Sequence, residues 1–148
     1  MDTLFIKMCE KAEKIQAGWE PQDWDYVYNP NWIEENWPDA VWCILPEEIA
    51  DSGVYGPFLD SEGEWEGCRQ RPIWLPTQTQ LQEMVIKGLR YQDTEHLLRA
   101  LNEWDTSEEG YEPYSRTVDS MNQLWLAFVE WKLYGKAWNG EEWLRGQQ

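Results

Sequence analysis

The residues with the strongest chemical character in this chain are carboxylates spaced two apart. Asp23 and Asp25 flank Trp24, and Glu62, Glu64 and Glu66 recur with Gly63 and Trp65 between them. On an extended strand such side chains share a face and stand about 6.6 Å apart. That spacing is close to the one between successive phosphates of a nucleic acid, so such rows offer a nucleic-acid-binding protein a surrogate for its ligand. Glu34 and Glu35 add charge between the two groups, and Trp24, Trp32 and Trp65 sit among the acids. Trp supplies large contact area at little entropic expense, which is why it is enriched at binding hot spots.

Other chemistries find less support. His96 is the only histidine, and no G-x-S-x-G or comparable motif supplies it with a nucleophile. No G-x-G-x-x-G or Walker-type lysine is present to cradle phosphate, and no nucleotide cofactor is expected. Cys9, Cys43 and Cys68 are odd in number and lack paired zinc or redox spacing, which predicts reduced thiols and a cytoplasmic setting. The stretch Asp60–Glu66 has its glycine in the wrong place for a calcium loop of the EF-hand type, so no metal is expected. Paired acids with Trp residues could serve a small carbohydrate-active enzyme, but the many carboxylates single out no catalytic pair.

The charge is concentrated. The chain has 148 residues, a formal charge of −16, twelve Trp and a pI near 4.3. Residues 19–68 hold thirteen acids and no Lys or Arg. Such a surface does not bind nucleic acid or anionic lipid directly, because both require counterion-releasing cations. A high aromatic content separates the block from a disordered acidic tail. Acidity for solubility alone is the competing reading. Charged residues interrupt the first eighteen positions, which predicts no signal peptide, and no apolar stretch approaches a membrane span.

The elements that must position these groups read as α+β in one domain, residues 1–148: an N-terminal helix, a small antiparallel sheet of three or four short strands, then three C-terminal helices. Leu4, Phe5, Met8, Ala12 and Ile15 predict one helix over residues 1–18, capped by Asp2 or Thr3, supported by a Glu10–Lys14 pair and ended by Gly18. Residues 19–75 form the acidic sheet and loops, with strands expected at Asp23–Tyr28, Val41–Leu45 and Glu62–Glu66. From residue 76 the chain turns helical. Thr77 and Gln80 have capping-box spacing with Gly88 as a stop, a second helix spans Asp93–Trp104, and a third opens at Ser120 and stops near Gly135. Asn139-Gly140 predicts a turn before a last helical turn at Glu141–Arg145. Trp74, Trp104 and Trp125 are expected in the core.

Trp74-Leu75-Pro76-Thr77-Gln78-Thr79-Gln80-Leu81 and Ser120-Met121-Asn122-Gln123-Leu124-Trp125, followed by Tyr134-Gly135-Lys136-Ala137-Trp138-Asn139-Gly140, resemble a family of small Trp-rich acidic accessory proteins from phages and prophages of Gram-positive bacteria. The likeness covers roughly the last half of the chain. It implies a phage accessory protein acting in an infected bacterial cytoplasm, and it carries over no catalytic residue. With the acidic block, it leads to the expectation of a noncatalytic inhibitor of the anti-CRISPR or anti-restriction type. Its partner would be a basic host protein, a nucleic-acid-acting defence factor. The expected contact residues are Asp23, Asp25, Glu34, Glu35, Glu62, Glu64 and Glu66 for charge, with Trp24, Trp32 and Trp65 as anchors. A phage structural or assembly protein docking a basic particle surface, and the carbohydrate-active enzyme, are the alternatives.

Overall fold

The computed structural model describes residues 2–29, 41–46, 58–59, 62–66, 71–89, 93–106, 118 and 120–145. Helices and small antiparallel sheets are mixed, as an α+β reading requires. The chain divides into two compact units. One spans Glu13–Pro76, and the other joins Asp2–Ala12 to Thr77–Gln148.

The first unit contains α2 (Glu13–Ala17), β1 (Tyr26–Tyr28), β2 (Val41–Cys43), β3 (Phe58–Leu59), β4 (Trp65–Glu66) and β5 (Ile73–Trp74). The strand β1 is central, antiparallel to β2 and β5, with Val27 opposite both Trp42 and Trp74. Val27 is fully buried, while Tyr26 faces outward, the alternation of a half-buried strand. The free edge of β5 is covered from α2. The Gln16 side-chain amide donates to the Trp74 carbonyl and accepts from the Trp74 N–H, both at 2.9 Å, so it satisfies an edge that would otherwise recruit another strand. A separate two-stranded ladder joins β3 and β4.

The second unit contains α1 (Thr3–Lys11), α3 (Gln78–Leu89), α4 (Thr94–Thr106), α5 (Met121–Tyr134), β6 (Lys136–Trp138) and β7 (Trp143–Arg145). Its axis is α5, buried without interruption from Gln123 to Glu130 and packed by α1, α3 and β6. A helix buried on all sides can be apolar all round, which explains the continuous Leu124–Val129 run. From α4, Leu97, Leu101 and Trp104 are buried, and the Trp104 ring meets Phe128 at 5.3 Å. Trp125 meets the same Phe128 edge-on. Trp74 is thus a core residue of the first unit, and Trp104 and Trp125 are core residues of the second.

The expected caps form. Thr77 and Gln80 close a reciprocal capping box at 2.8 and 3.2 Å. Ser120 caps α5 through the Gln123 N–H, and Gly135 ends the helix in a left-handed conformation, φ 66°. Asp2 caps α1 by accepting from the Phe5 N–H, and it also accepts from the Ser120 hydroxyl and the Gln123 side chain, both at 2.6 Å. Burial alone would raise its pKa. These three donors outweigh burial and leave it lowered.

Three expectations are corrected. The N-terminal helix is two helices, broken at Ala12 (φ −82°, ψ 72°), so Glu10 and Lys14 do not share one. The Ala12 N–H turns to the Cys9 carbonyl, which leaves the Met8 carbonyl without its i+4 donor. The buried indole N–H of Trp143 supplies it at 2.9 Å, from 135 residues away. Gly88 does not stop its helix, which runs on to Leu89. A Cβ there would fall 2.6 Å from the tip of Leu133, so the glycine permits α3 to approach α5 closely. Glu141–Arg145 is not a helical turn, for Trp143–Arg145 pairs with Lys136–Trp138 as a hairpin around Asn139-Gly140. The side-chain carbonyl of Asn139 accepts from the Glu141 and Glu142 N–H groups and holds that turn.

Candidate functional site: an exposed tryptophan on a bulge of the acidic unit

Trp24 lies just before β1 and has φ 71°, the one non-glycine with positive φ among the described residues. Its N–H donates to the Ile44 carbonyl at 2.7 Å, and the Ile44 N–H donates back to the Asp25 carbonyl at 2.8 Å. Two residues on the β1 side therefore oppose one on the β2 side. This is a bulge of the type whose first position is ordinarily a left-handed glycine. Here the position holds the largest side chain available, and that side chain is 54% exposed.

The conformation is over-determined by its surroundings. Asp25 turns inward to 6% exposure, where one carboxylate oxygen accepts from the Trp19 indole N–H at 2.9 Å and from the Gln22 N–H at 3.0 Å. Trp19 is the hub of the unit. Its ring stacks on Trp74 (5.8 Å, 6°) and on Trp65 (5.8 Å, 26°), and the Arg71 guanidinium lies 5.1 Å from its centre while donating to the Trp19 carbonyl. The same indole thus ties the turn carrying Asp23 and Trp24 to the arm carrying Glu62, Glu64 and Trp65.

Neither carboxylate row forms as expected. Asp23 is exposed and Asp25 is buried, because the positive φ of Trp24 breaks the extended run between them and sends the two side chains to different environments. Glu62 and Glu64 are both exposed but flank Gly63 at φ 82°, so they precede β4 in a turn and are not alternate positions of one extended strand. In both places a left-handed residue sits where strict alternation was expected. Asp25 is therefore a structural acceptor. Trp65 is half-buried against Trp19 and has a packing role. Glu34, Glu35 and Trp32 lie outside the described residues, as does the side chain of Glu66.

The exposed residues around this bulge are Glu20, Asp23, Trp24 and Tyr26, with Tyr26 at 47%. Tyr26 is opposite Cys43 in register and shares a side-chain hydrogen bond with it. Burial pushes the Cys43 thiol up from its ordinary value, a rise that this bond reduces. Sequence reasoning singled out neither Tyr26 nor Trp19. Tyr26 was legible as the outward residue of an alternating strand, whereas the hub role of Trp19 has no local signal.

Elsewhere, His96 pairs through Nδ1 with Asp93 Oδ1 at 2.6 Å on the exposed start of α4, where Asp93 also accepts the His96 N–H. These are local end contacts of a helix, and they hold the Asp93 carboxyl below its ordinary value. Among the described residues no group of three or more His, Cys, Asp or Glu could hold a metal ion, and no helix is long and apolar enough to cross a membrane. The chain matches no protein-family model, no curated protein and no solved structure.

Proposed function

We propose that this chain is a noncatalytic phage accessory protein that binds and inhibits a basic host protein, a nucleic-acid-acting defence factor. The acidic unit occupies the partner's basic surface in place of nucleic acid, and Trp24 is the anchor. The observation that carries the reading is Trp24 itself. A left-handed conformation costs a non-glycine residue about 1 kcal/mol or more, and exposing an indole forfeits the stabilisation that burial would bring. Neither feature helps the fold, and strain of this kind collects at binding sites that the surroundings hold rigid. The absence of Lys and Arg over residues 19–68 supports a basic partner. The regular phosphate-like row is not needed for it. Exposed acids raise association through their field, and a buried aromatic slows dissociation.

The test uses purified protein and host lysate, with Trp24→Gly as the comparison. The expected result is stoichiometric capture of a nucleic-acid-binding protein whose DNA or RNA binding is blocked by the wild type and not by the variant. Capture of particle proteins, capture that nucleic acid does not compete away, or hydrolysis of cell wall by the purified chain would overturn the proposal.

A further inference from the structure

The exposed bulge also points to what it grips. This inference rests on the reading above and names the partner's contacting group. We infer that Trp24 and Asp23 receive an arginine side chain of the partner in preference to a lysine.

Three observations lead there. First, Trp24 presents an exposed indole with an exposed carboxylate, Asp23, directly before it, while Glu20 and Tyr26 are exposed within four residues. An indole face together with an oxygen acceptor is the pair of features that a guanidinium uses at once: its plane stacks on the ring and its edge N–H groups reach the oxygen. Second, the same unit already shows this arrangement. Arg71 lies 5.1 Å from the centre of the Trp19 ring while its Nη2 donates to the Trp19 carbonyl at 2.8 Å. At Trp24 the oxygen is a carboxylate, a stronger acceptor for a cation than a carbonyl. Third, the charge complementarity is local. Residues 19–68 hold thirteen acids and no Lys or Arg, so the charge around Trp24 in sequence complements a cationic group on the partner.

Lysine suits this surface less. Its ammonium is a compact, strongly hydrated point charge that does not stack, whereas guanidinium is weakly hydrated and planar. Nucleic-acid-binding grooves carry arginines for the phosphate version of the same geometry, so a protein that replaces nucleic acid meets them there.

The experiment is a binding titration of the full chain at low salt with three labelled peptides of equal length: nona-arginine, nona-lysine and nona-citrulline. The arginine peptide is expected to bind about 5-fold more tightly than the lysine peptide, and the citrulline peptide, which keeps the planar group without the charge, not to bind. In Trp24→Gly the arginine-to-lysine ratio falls to about 1 with the lysine affinity retained. In Trp24→Phe, a weaker face, part of the preference remains. Equal wild-type affinity for arginine and lysine, or an arginine preference that survives Trp24→Gly, overturns the inference and leaves docking on a basic protein standing. Binding of neither cationic peptide overturns both. Circular dichroism of each variant confirms that the comparison is between folded proteins.

Discussion

Two residues of this chain occupy the left-handed region at nearly the same angle: Gly135 at φ 66° and Trp24 at φ 71°. Gly135 closes α5 in the second unit, where its N–H returns to the Glu130 and Trp131 carbonyls and the backbone alone needs the turn. Glycine there is the residue of least strain. Trp24 opens β1 in the first unit, where the bulge would accept glycine equally well. The contrast separates the two units by what governs their residues. Around Gly135 local preference and fold agree. Around Trp24 local preference is overruled by a bulge, an inward carboxylate and a stacked indole, and the residue so held faces water.

The largest expected effect bears on the Trp24 side of that contrast. Trp24→Gly should weaken partner capture by more than about 30-fold, the usual effect of removing a hot-spot aromatic, as read by surface plasmon resonance against the captured partner. If Gly135→Ala weakens capture as much, the functional distinction between the two positions is gone.

Next comes the helix end that Gly135 closes. Burial pushes the Glu130 carboxyl up from 4.5 to about 7, against the lowering pull of Lys136, and one of its oxygens has no hydrogen-bond partner. Because the folded value lies above the unfolded one, its favourable contribution is complete below pH 4.5 and is lost as pH rises to about 7. Glu130→Gln should therefore stabilise the protein by about 2 kcal/mol at pH 8 and change little at pH 4, measured by urea denaturation. A variant equally affected at both values would show that Glu130 enters the fold ionised. Asp2 has the opposite sign. Its pKa is lowered from 3.8, so its contribution is present above that value and disappears as acid takes the pH below it.

Trp143→Phe sharpens the same side. It keeps an aromatic ring beside Trp138 but strips the Met8 carbonyl of its donor, and should lower stability by about 1.5 kcal/mol. Thermal melts that coincide with wild type would mean that water replaces the indole. The smallest pair is the most direct. In urea titrations Gly135→Ala should destabilise by about 1 kcal/mol and Trp24→Gly should stabilise by about the same amount, one adding a Cβ to a left-handed residue and the other removing it. Loss of stability in Trp24→Gly would assign the indole to folding.

What was legible in the sequence is what depends on neighbours along the chain. Thr77 with Gln80, Ser120, Gly135 and the apolar periods of α3, α4 and α5 each act within a turn or two of helix, so residue type and spacing suffice to place them. The acidity of residues 19–68 belongs to the same class, since it is read from residue type alone. Tertiary structure decided the rest, because those features depend on partners distant in sequence or on which face a residue shows. The Met8 carbonyl left free by the break at Ala12 is satisfied by the indole N–H of Trp143, a donor distant in sequence. Asp25 leaves the surface because Trp19 offers a buried N–H, and Trp24 turns left-handed because the backbone of Ile44 accepts the bulge. A run of alternating residues carries no mark of the one position where a cross-strand bond reverses the sign of φ, and that position is where the candidate site lies.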